Sequence, residues 1–237
     1  RVLEPGSGLG TFIGLAPQNA NMVGVELDPT TAAISRALYP HADIRTESFA
    51  DTKVPEGTFD ATVGNVPFAD VSLHDPVHNP DGHSMHNHFI LKSLALTRPG
   101  GMVAVLTSSF TLDARNSAAR EAMSASADLV GAVRLPSGAH RATAGTDAVT
   151  DLLILRKREA DEPPLDRSWE TVVPQEVDGG TVHLNSYFVA HPEQVLGQLQ
   201  VGRSLYGADR MMVHTHDLAG IGGQLQNALG RVVDEAH

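Results

Sequence analysis

The chain has 237 residues, 41% of them hydrophobic, no cysteine and a formal net charge of −11. A chain of this length and composition can bury one sizeable α/β core. The lack of cysteine excludes disulfides and thiolate metal sites, and no apolar stretch approaches the length of a membrane span, so we expect a cytoplasmic protein.

Strands and helices alternate from the first residue to about residue 156. Hydrophobic periodicity predicts strands at 1–4, 22–26, 41–46, 59–64, 101–107, 129–135 and 148–156, and helices at 29–39, 84–96 and 115–127. Such alternation is typical of an α/β fold with a mostly parallel sheet.

Three segments are predicted from these patterns. Residues 1–158 form the α/β domain, residues 159–183 are polar and turn-rich and indicate a linker with a short hairpin, and residues 184–237 form a helical C-terminal extension. Helix-like patterns at 185–199 and 218–233 support the last of these. Because the chain does not begin with methionine and its first residue already lies in a predicted strand, we expect an N-terminally truncated piece.

A glycine-rich turn, Glu4-Pro5-Gly6-Ser7-Gly8-Leu9-Gly10, follows the first predicted strand and opens a helix. Glycines in such a turn let a ligand approach the backbone N–H groups closely. Thr11 occupies the third glycine position of the dinucleotide fingerprint, which argues against NAD, and no Gly-Lys-Ser/Thr follows to make a P-loop. Glu26 ends the second strand, where its carboxylate could accept both ribose hydroxyls; alternatively it caps the helix that begins near Asp28.

A tetrapeptide, Asn65-Val66-Pro67-Phe68, follows the fourth predicted strand. An exocyclic amine is a poor nucleophile because its lone pair is delocalised. The Asn65 carboxamide oxygen and the Val66 carbonyl can each accept one of its N–H groups. Pro67 disfavours the α region for Val66, and Phe68 offers a flat face for a flipped-out base. The pattern therefore predicts the active site of an amino-group methyltransferase.

The tetrapeptide resembles the catalytic signature Asn/Asp-Pro-Pro-Tyr/Phe of N6-adenine DNA methyltransferases, with Val66 in place of the first proline. It is most similar to the methyltransferase modules of large phage- and plasmid-borne helicase–methyltransferase fusion proteins. The similarity covers about four-fifths of the chain, and it continues through Ser84-Met85-His86-Asn87-His88-Phe89, Arg98-Pro99-Gly100-Gly101, Arg134-Leu135-Pro136, 144–147 and 187–193.

This resemblance implies S-adenosylmethionine as cofactor and a Rossmann-like seven-stranded, mostly parallel sheet of order 3-2-1-4-5-7-6. It implies that Asn65, Val66, Pro67 and Phe68 are catalytic. It also implies the cofactor-binding residues, which are Glu4, Gly6, Gly8, Glu26, Leu27, Ser48, Phe49 and Asn65. Ser48-Phe49 replaces the usual Asp-Phe beside the cofactor adenine. For an isolated phenylalanine, burial in the core is the alternative interpretation.

The net charge bears on the substrate. A free-standing DNA binder normally carries a basic surface, whereas this chain has a charge of −11, with basic groups at Arg134, Arg141 and 156–158. We therefore expect that domains outside this chain, such as the helicase that the resemblance suggests, supply much of the DNA affinity. Methylation of an RNA adenine or a protein glutamine amide, or a non-catalytic docking role, are the alternatives.

A histidine-rich segment, 74–88, follows the tetrapeptide and contains five histidines, at positions 74, 78, 83, 86 and 88. Its irregular spacing argues against a structural zinc site. We expect a flexible loop that covers the target base, with His86 or His88 near the cleft.

Overall fold

The computed structural model describes residues 1–69, 71–139, 148–203 and 209–235. Seven strands form one sheet of order β3-β2-β1-β4-β5-β7-β6. These strands are β1 Val2–Pro5, β2 Met22–Glu26, β3 Asp43–Thr46, β4 Phe59–Asn65, β5 Thr97–Ser108, β6 Ala127–Arg134 and β7 Thr150–Lys157. The pairs β2–β3, β1–β2, β1–β4 and β4–β5 are parallel. The predicted fold class and strand order are confirmed.

The helices are α1 Thr11–Leu15, α2 Pro29–Leu38, α3 Met85–Leu96, α4 Phe110–Asp113, α5 Ala118–Ser124, α6 Ser186–Ala190 and α7 Ile221–Glu235. The sequence explains where helix α2 begins. The Asp28 carboxylate accepts a hydrogen bond from the Thr31 N–H at 2.7 Å, and Pro29 has a φ that is already restricted to the helical value. No helix in the described part of the chain has both the length and the apolar character of a membrane span.

The chain divides into two compact units. The first comprises Arg1–Thr107 with Ala122–Asp128 and Ile154–Leu165. One part of its core packs Ile13 of α1 and Ala32 of α2 against Met22 and Ile44 of the sheet. These apolar residues come from a strand–helix alternation, so the packing follows from the periodicity that predicted the elements.

The second unit comprises Ser108–Glu121, Leu129–Leu153 and Asp166–His237. It contains two antiparallel hairpins, β8 Val172–Val177 with β9 Gly180–Asn185, and β10 Gln198–Arg203 with β11 Asp209–His214. The turn between β8 and β9 uses Gly179 at φ +87°, a conformation that glycine adopts without strain.

The C-terminal prediction needs correction. The helix predicted over 185–199 is only α6, and residues 198–203 then form β10, so the stretch 184–237 is not purely helical. Backbone pairing with β11 overrode the local helical pattern. The helix predicted over 218–233 is confirmed as α7, and the hairpin expected within 159–183 is confirmed in part, since β9 continues to Asn185. Arg141 and 144–147 lie outside the described residues, and the predicted domain limits stay a prediction.

A buried ion cluster lies inside the second unit. Arg134 and Asp151 are both 0% exposed. The guanidinium donates to both Asp151 oxygens at 2.8 Å and lies 2.6 Å from the Asp113 Oδ2. The Phe188 ring lies under it at 4.3 Å from Cζ. Burial opposes the charged form, but the two carboxylates outweigh it and raise the pKa of Arg134, so the cation is permanent.

We expect Arg134→Met to lower the free energy of unfolding by about 3–5 kcal/mol, because it leaves two carboxylates without their cation in the interior. Urea unfolding measures this. The control is Arg98→Met, which removes an exposed ion pair with Asp60 and should cost below about 1 kcal/mol. Equal losses for the two variants would contradict a special role for the buried cluster.

Candidate active site

Three neighbouring parallel strands of the first unit end at one edge of the sheet. Pro5 ends β1, Glu26 ends β2 and Asn65 ends β4. Strand β1 lies between β2 and β4, so the sequence order of the strands reverses beside it. In open α/β sheets, ligands bind outside the carboxyl ends of the strands at such a switch point.

The glycine turn has the backbone that the sequence predicted. Gly6, Gly8 and Gly10 have φ of +64°, +55° and +83°, which are values that residues with a Cβ rarely adopt. The Gly8 N–H donates to Glu26 Oε2 at 2.8 Å, and the Asp28 N–H donates to Glu26 Oε1 at 2.8 Å. Glu26 therefore joins the turn after β1 to the end of β2.

The tetrapeptide contacts this turn. A Cβ built on Gly6 would lie 3.5 Å from Pro67 Cδ and 3.4 Å from Phe89 Cε1. The glycine turn and the tetrapeptide thus adjoin, with no layer of protein between Gly6 and Pro67. The two motifs that the sequence placed in one site are brought together.

Within the tetrapeptide the residues alternate in exposure. The Asn65 side chain is exposed, Val66 is 1% exposed, and Phe68 is 38% exposed. The Val66 N–H donates to the Leu106 carbonyl of β5 at 3.0 Å, which continues the pairing of Asn65 with Leu106. The sheet therefore holds the backbone while the carboxamide and the aromatic ring face solvent.

Ser48 and Phe49 follow β3 and have different surroundings. The Ser48 hydroxyl accepts a hydrogen bond from the Ala50 N–H at 3.3 Å and caps a short 3-10 turn over Phe49–Asp51. Phe49 is 3% exposed, and its ring centroid lies 4.8 Å from that of Phe89. Phe49 is thus part of the core, as the alternative interpretation had it, and its contact with a cofactor stays a prediction.

Leu27 and Glu4 also differ in exposure. Leu27 is 70% exposed directly after Glu26, so an apolar side chain stands free beside the turn. Glu4 is 3% exposed, and its carboxylate accepts hydrogen bonds from the Ile13 and Phe12 N–H groups at 3.0 and 3.4 Å. Glu4 therefore fastens the start of α1 to β1. Its predicted contact with the cofactor is untested.

The histidine-rich segment is an ordered part of the first unit, contrary to the expectation of a flexible cover. The Met85 N–H of this segment donates to the carbonyl of Val71, which precedes the segment, at 2.8 Å. The Asn79 amide group donates to the carbonyls of Leu73 and His83, both at 3.1 Å. Internal hydrogen bonds thus hold the segment together.

A buried polar group anchors this segment to α3. Asp75 is 4% exposed, and its Oδ2 lies 2.8 Å from Lys92 Nζ and 3.1 Å from His88 Nε2. Burial alone would raise the pKa of Asp75, but hydrogen bonds from Lys92, the His78 backbone and His88 hold that pKa well below its usual range. Burial lowers the pKa of His88, and Asp75 opposes this in part.

That His86 or His88 lies near the cleft stays a prediction; in the structure His88 is 0% exposed and bound to Asp75. The sequence reasoning also missed Asp75 and Lys92 as an anchor and Phe89 as a neighbour of the glycine turn. One signal was available. Lys92 interrupts an otherwise apolar stretch of α3, and a charge at such a position is usually paired.

In the ranges that the structure describes, one group of ligand atoms is close enough to share a metal ion, namely His191, Glu193 and Glu235. It lies in the second unit and is partly to fully exposed. The histidine-rich segment forms no such group within those ranges.

Solved structures share this fold at low identity. A chain from Listeria monocytogenes assigned to the class I S-adenosylmethionine-dependent methyltransferases has a TM-score of 0.55 and 17% identity, covering 70% of this chain and 56% of that one. A modification subunit from Vibrio vulnificus, assigned to a type I restriction enzyme, has a TM-score of 0.55 and 14% identity, covering 93% and 56%. A chain of a type I restriction–modification system has a TM-score of 0.55 and 16% identity, covering 69% and 38%.

These likenesses show that the chain has the class I methyltransferase fold. By sequence, it is 30% identical over 164 residues to Defense against restriction protein B of Escherichia phage P1, an alignment that covers 67% of this chain. The chain spans 7% of the length of that protein and 56% of the Listeria chain. No family model matches the chain.

Glu4 makes stability depend on pH. Burial, opposed by the backbone hydrogen bonds to Ile13 and Phe12, raises the pKa of Glu4 from 4.5 to about 7. A raised pKa means that the folded protein holds the proton longer than the unfolded chain. The stabilisation is therefore fully present below pH 4.5 and is lost as the pH rises through about 7.

We expect the stability of wild type relative to Glu4→Gln to fall by about 2–3 kcal/mol across this window. Urea unfolding of both proteins at pH values below 4.5 and above 7 measures the difference. The exposed Glu176→Gln is the control and should show no such step. A difference that stays flat with pH would mean that Glu4 is ionised in the folded protein at neutral pH.

Proposed function

We propose that this chain is a methyltransferase domain that transfers the methyl group of S-adenosylmethionine to the N6 amino group of adenine in DNA, as one module of a larger protein. The contact between the glycine turn and the tetrapeptide is the observation that carries the proposal. The glycine turn and Asn65 lie at one edge of the sheet, which supports a site where the turn would bind the cofactor and Asn65 would bind the amine.

The residues around the glycine turn fit the cofactor. A Cβ built on Gly8 would meet no atom of the described residues within 4 Å, so the space above the turn is open to a ligand. Each Glu26 oxygen accepts one backbone N–H and keeps a second lone pair for a ribose hydroxyl. The exposed Leu27 adds an apolar contact, and Ser48 offers a hydroxyl to the adenine edge. The bound cofactor would supply an electrophilic methyl group.

The tetrapeptide would prepare the acceptor nitrogen. The exposed Asn65 carboxamide oxygen accepts one N–H of the amine and the Val66 carbonyl accepts the other, so the nitrogen becomes pyramidal and its lone pair becomes available. Phe68 stacks on the flipped-out base. Transfer of the methyl group would leave the acceptor amine cationic, and the amine would then release one proton to solvent.

The named relatives support a DNA substrate. The phage P1 protein is named for defence against restriction, and two of the solved structures belong to restriction–modification systems. The net charge of −11 favours a module whose DNA affinity comes partly from other domains, with a helicase as the predicted partner. RNA adenine and a protein glutamine amide stay the alternative substrates, because the Asn65 carboxamide oxygen could accept an N–H of those amino groups in the same way. The cytoplasmic location also stays a prediction.

We expect Asn65→Ala to lower methyl transfer by about 100- to 1000-fold, because it removes one acceptor of the reacting amine. Transfer of labelled methyl groups to DNA, RNA and protein pools measures this and names the substrate class. Asn65→Asp keeps an acceptor oxygen and should retain more activity than the alanine variant. Calorimetric titration with S-adenosylmethionine is the parallel measurement, since a chain that binds no cofactor would be a docking module.

We expect Gly8→Ala to weaken S-adenosylmethionine binding by at least about tenfold, because the added methyl group fills space that the ligand needs. Gly57→Ala is the matched control. Gly57 has a similar φ of +69° but lies away from the sheet edge, with Arg98 Cα 3.7 Å from its built Cβ. Both variants carry the same backbone strain, so equal binding by the two would contradict a ligand site at the turn.

A further inference from the structure

A separate cavity of about 470 Å³ lies within the second unit. Residues from α4, β9, β11 and the segment before β7 surround it. Its lining includes Phe110, Asp113, Arg115, His183 and Arg210. Nothing in the methyl-transfer chemistry above uses this cavity.

Phe110 of the cavity lining is 68% exposed, although the residues that follow it in α4 are buried. Thr111 and Leu112, the next two residues of α4, are 1% and 0% exposed. The Asn185 amide group donates to the Leu112 carbonyl at 2.7 Å and to the Trp169 carbonyl at 2.8 Å. The ring is therefore a rigidly mounted aromatic face in contact with water, which is the form of a stacking platform.

The cavity is also basic. Arg115 and Arg210 line it, and the Arg115 Nη2 lies 3.4 Å from His183 Nδ1. Asp113 is the single carboxylate among the lining residues that the structure describes. Its Oδ1 accepts a hydrogen bond from the Asn185 N–H and its Oδ2 lies 2.6 Å from Arg134.

This carboxylate shares the single cation Arg134 with Asp151, so its charge is only partly offset. On a chain whose net charge is −11, Arg115 places an exposed cation at a cavity whose one described carboxylate is held by a buried arginine. A guanidinium beside a free aromatic face matches a nucleotide, because the base stacks on the ring and the phosphate binds the guanidinium.

We propose that this cavity binds a nucleotide of the nucleic-acid strand outside the target adenine, with its base on Phe110 and its phosphate on Arg115. The inference rests on the proposed function, since it takes the substrate to be a nucleic acid. It adds a second contact to that substrate, which Asn65 and Phe68 do not supply. The contact would consist of base stacking and a phosphate interaction, so binding there should depend little on base sequence.

The test is fluorescence anisotropy of the 237-residue chain with a labelled single-stranded DNA of roughly 20 nucleotides, longer than the usual site of one binding groove, and with its duplex. We expect Phe110→Ala to weaken binding of the single strand by roughly 5- to 100-fold. Arg115→Gln should weaken it too and reduce the slope of log affinity against log salt concentration by about one. Leu165→Ala and Arg98→Gln are controls of matched chemistry, since both side chains are largely exposed and neither lines the cavity.

A spectroscopic variant separates stacking from loss of fold. Phe110→Trp keeps the aromatic face and should bind DNA as wild type does, with quenching of its emission by the stacked base. The chain's own single tryptophan, Trp169, is 1% exposed and should not respond. Absence of quenching together with wild-type binding by Phe110→Ala would overturn the inference.

The two proposals fail differently. If wild type transfers methyl groups to DNA and the Phe110 and Arg115 variants bind DNA unchanged, the cavity inference is wrong and the proposed function stands. If wild type binds no nucleic acid and methylates only protein, both are wrong. If Asn65→Ala retains full transfer while the Phe110 and Arg115 variants lose DNA binding, the catalytic assignment alone is wrong.

Discussion

The approach of Gly6 to Pro67 is the constraint on which the candidate site depends. Both residues lie at the carboxyl edge of the sheet, at the ends of the adjacent strands β1 and β4, and a Cβ on Gly6 would already be in contact with the proline ring. A larger residue at position 6 would have to move the tetrapeptide or the Phe89 ring. In the proposed function, packing between backbone segments would therefore set the separation between the cofactor on the glycine turn and the amine at Asn65.

The residues around this contact divide into those that hold the site and those that are free to react. The Glu4 carboxylate binds the start of α1, Val66 is buried, and Asp75 of the histidine-rich segment binds Lys92 of α3. Asn65 and Phe68 remain open to solvent. Exposed functional groups supported by buried, hydrogen-bonded residues are the arrangement expected where a reacting amine must be held in one geometry.

Charge is distributed unevenly. The chain is acidic overall, yet two of its buried cations, Arg134 and Lys92, are each paired with carboxylates in the interior. Arg115 is by contrast exposed and lies beside His183. Such a local basic patch is compatible with weak, short-range contacts to a nucleic-acid strand, while long-range attraction would have to come from other domains.

The sequence by itself determined the succession of the seven sheet strands along the chain and the identity of the glycine turn and the tetrapeptide. These are local properties, since periodicity, caps and glycine content act over a few neighbouring residues. Only the tertiary structure decided that Phe49 and His88 are buried, that residues 198–203 form a strand, and that Asp75 pairs with a lysine seventeen residues away. Burial of a polar or aromatic group depends on partners from distant segments, and no local pattern specifies those partners.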